Sequence, residues 1–529
     1  MEAMVSAIWR TGLCLLLWHA VAAGGVATPP LPLLPIPSSR QVAWQAAERA
    51  LFFHFGMNTF TDSEWGTGQA DPSLFYPQAL DAHQWVNIAK KAGFSRVILT
   101  AKHHDGFCLW PSSFTNYSVA LSPWRAGSGD LVSELSSAAH EAGLSFGIYL
   151  SPWDRHEGCY GDTLQYNEFY LALLGELLTS VQLSNLHKVL IFQIRYGPIA
   201  EVWLDGAKGE DAPEMVYLFN SWFSMIRQLQ PGAMIFSDKG PDTRWVGNEY
   251  GESGSTAWAM VNSSLITIGG DNDAIYSQEG DPYGVDWVPA ECDVSIRPGW
   301  FWHSNEQPKS VNDLLEIFYE SVGRNCVLLL NVPPNTTGLI SEEDAEVIIS
   351  FNEALHSIFS VNLAANASVT ADSTRGVGYE ATEILNDNLS TYWAPESGKY
   401  NGCLEIDLGS AVTFNVLRIQ EAVSMGQRVI RHHVDYLKDG EWVAIIPGTT
   451  IGYKRLELIE TIEAQVLRLY IDDARSEPLI ASFGVHLDSI TVPQPRMKIQ
   501  RSHISRRYWM RSLSQVPPVY NQGDFLSVV

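Results

Sequence analysis

The sequence predicts a (β/α)₈-type, TIM-like barrel followed by an all-β sandwich, and three observations carry that prediction. Apolar strand candidates recur at residues 50–55, 96–101, 145–150, 199–204, 233–237, 244–247, 295–302 and 326–331. Amphipathic stretches with helical spacing lie between most of them, at 83–92, 130–142, 164–179, 213–229 and 311–322. After Val361 the helical spacing stops, and short alternating segments separated by turn residues take over. Strands that alternate with helices build a parallel sheet, and eight such units close a barrel. The fifth to seventh units are irregularly spaced.

Residues 1–23 have the layout of a secretory signal. Arg10 precedes an apolar run from Leu13 to Val21, and small residues around Ala20 and Ala23 suit cleavage. The run is short for a membrane span, so the mature chain is expected to be secreted and to have no membrane partner. A Pro-rich leader is expected over 24–45, the barrel over 46–358, the sandwich over 359–490, and a basic, disordered tail over 491–529. A last barrel helix is expected at 341–359, opened by Ser341 and Asp344 in a capping pattern.

The formal net charge of −25 disfavours nucleic acid as a partner. Past the signal, five cysteines remain (Cys108, Cys159, Cys292, Cys326 and Cys403), an odd number at irregular spacing that fits neither a disulfide scaffold nor a zinc ribbon. One or two bridges fit, without a pairing that the spacing selects. Glycosylation sequons stand at Asn116, Asn262, Asn335, Asn366 and Asn388.

The chemistry is expected at the strand ends. Asp205 directly follows Trp203 and Leu204 and precedes Gly206. Burying an unpaired carboxylate is costly, and the carboxyl ends of barrel strands are where catalytic groups are mounted. Capping of the next turn is the plainer reading of Asp205 alone. A retaining glycosidic cleavage needs a second carboxyl group facing the first. Glu249, in the segment after the sixth strand, fits, and Glu291 and Asp293 stay open as rivals. His54, Glu64, Trp65, His103, His104, Tyr149 and Trp203 crowd successive strand ends, with Arg297, Trp300 and Trp302 near the seventh. Polar groups for hydroxyls beside aromatic faces describe a monosaccharide pocket. No metal or other cofactor is expected, because neighbouring residues on a strand point to opposite sides and no ligand motif is present.

Taken together, His54-Phe-Gly, Ser63-Glu-Trp65, Ala101-Lys-His-His-Asp-Gly106, Tyr149 and Glu201-Val-Trp-Leu-Asp-Gly206 resemble glycoside hydrolase family 29, the α-L-fucosidases. The resemblance implies a retaining enzyme without cofactor. Asp205 would be the nucleophile, and His54, Glu64, Trp65, His103, His104, Tyr149 and Trp203 would bind fucose. Trp245-Val-Gly-Asn-Glu-Tyr-Gly251 resembles the branch acting on α-1,3- and α-1,4-linked fucose, which makes Glu249 the acid/base. The chain is most similar to secreted plant members, which implies fucosylated oligosaccharides and N-glycans as partners and the apoplast as location. A fucose-binding lectin without turnover, or a retaining exo-glycosidase of broader linkage range, are the alternatives. Asn386 to Trp393, Leu404 to Gly409 and Phe414 to Ile419 resemble the discoidin-like (factor V/VIII type C) modules, here expected to buttress the barrel. Residues 180–194 have no counterpart in the family pattern, which runs from the helix almost directly into Tyr196-Gly-Pro.

Overall fold

The computed structural model describes residues 27–183, 190–193, 195–209, 212 and 214–491. The expected signal sequence and most of the basic tail lie outside the described residues. Eight parallel strands close a barrel in sequence order: β1 (Arg49–Phe53), β2 (Arg96–Lys102), β3 (Ser145–Leu150), β4 (Ile199–Trp203), β5 (Met234–Ser237), β6 (Thr243–Trp245), β7 (Ala290–Ser295) and β8 (Val327–Asn331). The principal barrel helices are α1 (Ser39–Ala46), α2 (Ala82–Lys91), α3 (Leu131–Ala142), α4 (Thr163–Leu178), α5 (Phe219–Leu229), α6 (Val311–Glu320) and α7 (Glu342–Phe359). Alternation along each strand sends one set of side chains to the helices and the other into the barrel. On β4 a bulge after Ile199 resets the phase. Ile199 and Val202 therefore pack under the helices, while Glu201 and Trp203 face inward.

The barrel interior is layered, as closed barrels of this size require. At the amino end Trp44 packs with Met234 and Val327. Above it lies a polar layer: Arg96 pairs with Glu201 at 3.2 Å, and Trp44 Nε1 donates to Glu201 Oε2 at 2.9 Å. Next come Phe52, Ile98, Tyr149, Trp203, Phe236 and Leu329, with Trp203 stacked on Phe236 at 3.9 Å.

Several boundaries differ from expectation. The seventh strand is Ala290–Ser295, not 295–302. Glu291 and Asp293 break its apolar run because they face the barrel interior and cavity, and residues after Ser295 turn through Arg297-Pro-Gly. Helix α5 starts at Phe219, and residues 214–218 ahead of it are irregular. Only residues 238–242 link β5 to β6, so that parallel pair has no crossover helix. Residues 39–45, expected in the leader, belong to α1, which opens with a Ser38–Gln41 capping box and closes the barrel's amino end. The unmatched segment includes a hairpin, Ser180–Leu183 with Leu190–Gln193, in the helix-to-strand connection before β4. Such connections lie at the amino end of the strands, opposite the strand-end residues.

The sandwich strands are β9 (Ser368–Ala371), β10 (Gly402–Glu421), β11 (Val429–Lys438), β12 (Glu441–Gly448), β13 (Arg455–Ala474) and β14 (Ile480–His486). They run in the order β9-β10-β13-β11-β12, with β14 on β10. The Leu404 to Gly409 and Phe414 to Ile419 motifs lie on one strand, because Gly409 and its neighbours form an irregularity within β10 rather than a turn. Leu404, Ile406, Phe414 and Leu417 fill this core with Trp393, Leu467 and Phe483.

Cys292 on β7 is bridged to Cys326, immediately ahead of β8, across a sequence separation of 34. Closing a loop of that length constrains the unfolded chain by about 3–4 kcal/mol. Reduction, or Cys326→Ser, is expected to lower the thermal midpoint measured by calorimetry.

Candidate active site

The strand ends converge on one cavity of about 440 Å³, a volume that includes its open mouth. All nine residues expected from the sequence line it: His54, Glu64, Trp65, His103, His104, Tyr149, Trp203, Asp205 and Glu249. Phe52, Asp293 and Trp300 complete the wall. No Lys or Arg is among these residues, and no cluster of three metal-ligating side chains occurs among the described residues.

Asp205 sits two residues past β4. Its Oδ1 accepts from Ala207 N at 2.7 Å, as in a turn cap, and its Oδ2 accepts from Tyr149 Oη at 2.8 Å. Both the capping reading and the cavity reading are therefore satisfied by one carboxylate. His104 Nε2 lies 3.8 Å from Oδ2, too far for a direct hydrogen bond and close enough for a hydroxyl to bridge.

The three histidines are buried and oriented from behind. His54 Nδ1 donates to Asn331 Oδ1 at 2.8 Å, because the Asn331 amide nitrogen already donates to Trp300 O and Ser295 Oγ. His103 Nδ1 accepts from Asn58 Nδ2 at 3.2 Å, which leaves its Nε2 proton for the cavity. His104 Nδ1 meets Ser151 Oγ at 2.7 Å. Burial pushes His54 down to about 3 and His104 down to about 4, the latter despite the opposing Asp205 charge. Burial and the neighbouring histidines and Lys102 hold His103 well below its ordinary value. The rings are thus neutral hydrogen-bonding groups at mildly acidic pH.

Glu64 is latched across the mouth. Its carboxylate accepts from Trp300 N at 2.8 Å, Phe301 N at 3.2 Å and His303 Nε2 at 2.7 Å. His303 also reaches Asp62, and these hydrogen bonds raise it against the lowering effect of burial. Trp65 stands 59% exposed on the rim, edge-on to Trp153.

The three carboxyl candidates separate by depth. Glu249 is an exposed rim residue whose Oε2 accepts from Trp300 Nε1 at 3.3 Å. Loss of water within the cleft raises it above the ordinary carboxylate range; Trp300 opposes this, and the Asp205 and Glu64 charges add to it. Glu291 is fully buried, two residues below Asp293 on β7, and is held by Trp203 Nε1 at 3.2 Å. It does not line the cavity. Burial and the Glu201 charge raise it well above its usual range. Asp293 does line the cavity, with Oδ1 accepting from Trp245 Nε1 at 2.8 Å.

Two of the expected neighbours serve the scaffold instead. Arg297 is turned away into a buried ion pair with Asp344 of α7 at 2.9 Å, and Trp302 lies beside that guanidinium rather than in the cavity wall. Lys102 is fully buried on Asp154 at 2.8 Å. Gly106 in the His-His-Asp-Gly run has φ +89, and a Cβ there would lie 2.4 Å from Asp154 Oδ1, so only glycine fits. Asn58, Ser151, His303 and Asn331 position the site. They come from positions whose roles depend on three-dimensional pairing.

Comparisons with known proteins give the family. The family model described as alpha-L-fucosidase matches residues 40–356, and that of the F5/8 type C domain matches 368–483. Alpha-L-fucosidase 1 of Arabidopsis thaliana is 55% identical over 468 residues, covering 87% of this chain and 89% of its own. The crystal structure of SpGH29 superposes with a TM-score of 0.82 at 41% identity, covering 87% of this chain and 100% of that one. A Ruminococcus gnavus GH29 fucosidase in complex with fucose superposes with a TM-score of 0.79 at 33% identity, covering 88% and 97%. The chain therefore belongs to the alpha-L-fucosidase family, glycoside hydrolase family 29, and is an alpha-L-fucosidase.

Proposed function

We propose that the enzyme releases α-1,3- and α-1,4-linked L-fucose from branched glycans, such as Lewis-type antennae of N-glycans, with retention of configuration. The observation that carries this reading is the pairing of Asp205 and Glu249 in one cavity walled by neutral histidines and aromatic rings. Asp205 attacks the anomeric carbon, while Tyr149 orients its carboxylate. Glu249 gives its proton to the departing glycosidic oxygen. It then takes a proton from water, which displaces Asp205 and frees fucose. The raised affinity of Glu249 for its proton supports the first role. His54, His103, His104 and Glu64 engage the sugar hydroxyls, and Trp65, Trp203 and Tyr149 meet its C–H faces.

The linkage rests on the Trp245 to Gly251 segment, which puts Glu249 on the rim where the remainder of the glycan would lie. Secretion to the apoplast rests on residues 1–23. Glycosylation is proposed at Asn116, Asn366 and Asn388, which are exposed.

The test is fucose release from matched α-1,2-, α-1,3- and α-1,4-fucosylated oligosaccharides, with the first anomer formed read by proton NMR. Release of the α-anomer from the 1,3 and 1,4 compounds alone is expected. Release from the 1,2 compound points to broader linkage range. Initial β-anomer rejects retention. Binding of fucose without release points to a lectin.

A further inference from the structure

Asp293 is the one carboxyl of the cavity wall that the mechanism above leaves without a task. It stands near the carboxyl end of β7, is 3% exposed, and its Oδ1 accepts from Trp245 Nε1 at 2.8 Å, which leaves Oδ2 for the cavity. The segment after β6 folds back onto this strand: Tyr250 forms an antiparallel bridge with Val294. Glu249 and Asp293 each precede a bridged residue, so their side chains leave the same face as diagonal neighbours. Such neighbours are separated by roughly 7–8 Å at the backbone, within reach of long side chains.

The charges around Asp293 are of one sign. Glu249 faces it from the segment after β6 and Asp205 from the end of β4, Glu64 is held against the loop that follows β7, and Glu291 lies beneath it on β7. The histidines of the wall are neutral, and no lysine or arginine lines the cavity. Carboxylates sharing a dry site do not all ionise, and the more buried ones keep their protons. Burial first, then the Glu249 charge, push Asp293 well above the usual carboxylate range, and the Trp245 hydrogen bond offsets this only in part.

We propose that Asp293 is a positioning residue that stays a neutral carboxylic acid. Its O–H donates to the Glu249 carboxylate formed when Glu249 hands its proton to the departing oxygen. No proton is transferred from Asp293. The hydrogen bond stabilises the charge left on Glu249 and holds that carboxylate facing the incoming water. This role rests on Glu249 being the acid/base.

The experiment compares Asp293→Asn and Asp293→Ala in the full-length enzyme, with rates measured across pH on an oligosaccharide and on an aryl fucoside with a good leaving group. Circular dichroism checks the fold. Asparagine preserves both the acceptor for Trp245 and a neutral donor. Loss of a hydrogen bond to a charged group is expected to cost Asp293→Ala about ten- to a hundredfold in kcat on the oligosaccharide, with KM little changed. On the aryl fucoside the loss is expected to be small. The alkaline limb should move up in Asp293→Ala, because the charged form of Glu249 loses its donor, and Asp293→Asn should restore most of the rate and the limb. A limb that moves down in Asp293→Asn means that Asp293 is an anion, which overturns the proposal. So does an alanine variant with unchanged kcat, or an asparagine variant as slow as alanine. If alanine fails to fold, the asparagine pH profile decides alone. Glu249→Gln is measured in parallel. A limb that survives there removes the acid/base assignment and this proposal with it, whereas a limb lost there and shifted down in Asp293→Asn overturns this proposal only.

Discussion

Asp205→Ala is expected to lower kcat/KM by at least about 10⁴-fold while leaving the thermal midpoint nearly unchanged, because in the proposed mechanism the lost group makes the covalent bond, and it packs no core. Its contacts argue for this split. The carboxylate is partly solvent-accessible, touches Tyr149 Oη and Ala207 N, and belongs to no hydrophobic cluster. Truncating it also opens space at the attacking position. Azide added to Asp205→Gly is expected to restore turnover and to yield the fucosyl azide of inverted configuration, read by NMR. Azide rescue with retained configuration would instead identify a different nucleophile. Tyr149→Phe provides a graded control: one charge-assisted hydrogen bond is lost while the ring stays packed on Phe52 and Trp203. A loss of about tenfold to a hundredfold is expected there.

Glu249→Ala is expected to slow release from oligosaccharides by about 10²–10⁴-fold and release from activated aryl fucosides far less in the bond-breaking step. The difference reports whether the departing oxygen needs a proton. The pH dependence has a definite sign. Cleft desolvation raises Glu249, and the Asp205 and Glu64 charges add to it. The protonated form needed for the first step therefore persists above the ordinary carboxylate range and is lost as pH rises through the raised value. In the proposed mechanism Asp205 is then esterified to fucose and loses its charge, so one of the raising effects disappears and Glu249 becomes easier to ionise. It is then suited to act as the base. In the wild type a bell-shaped rate profile is expected, and its alkaline limb should vanish in Glu249→Ala. Full activity of that variant on oligosaccharides would eliminate the role.

The expected site residues were legible because barrel geometry turns strand order into spatial convergence. His54, His103, Tyr149, Trp203 and Asp205 each sit at or just past a strand end, so positions far apart in the chain meet without any contact being readable. Groups that hold them were hidden. Asn58 orients His103 from a short helix, and His303 joins Glu64 from a loop some 240 positions away, pairings with no sequence period. Position on a strand alone also left Glu249, Glu291 and Asp293 unranked, since depth within a barrel is set by register. The β7 register puts Glu291 opposite Trp245 and Val327, one layer lower than Asp293. The seventh strand itself was misplaced because inward-facing carboxylates interrupt its apolar pattern, whereas the tryptophans of the following loop imitate one. Helix α1 was masked by the prolines just before it.

The amino-terminal segment ahead of the barrel has a consequence beyond shape. Thr28 O and Leu31 O accept from Arg375 and Arg428 of the sandwich, and Leu33 N donates to Met425 O. A few residues later, Gln41 and Trp44 of α1 are bonded to Asp242, Trp287 and Glu201 of the barrel. Val416 and Leu456 of the sandwich also belong to the same apolar cluster as the barrel helices, and Tyr319 of α6 donates to Asp488. With this strap and these shared apolar contacts, neither fold can open without exposing part of the other. Calorimetric unfolding should therefore follow a single cooperative transition, and damage confined to the sandwich should silence the enzyme from a distance, by lowering the fraction of molecules that are folded rather than by altering the sugar site.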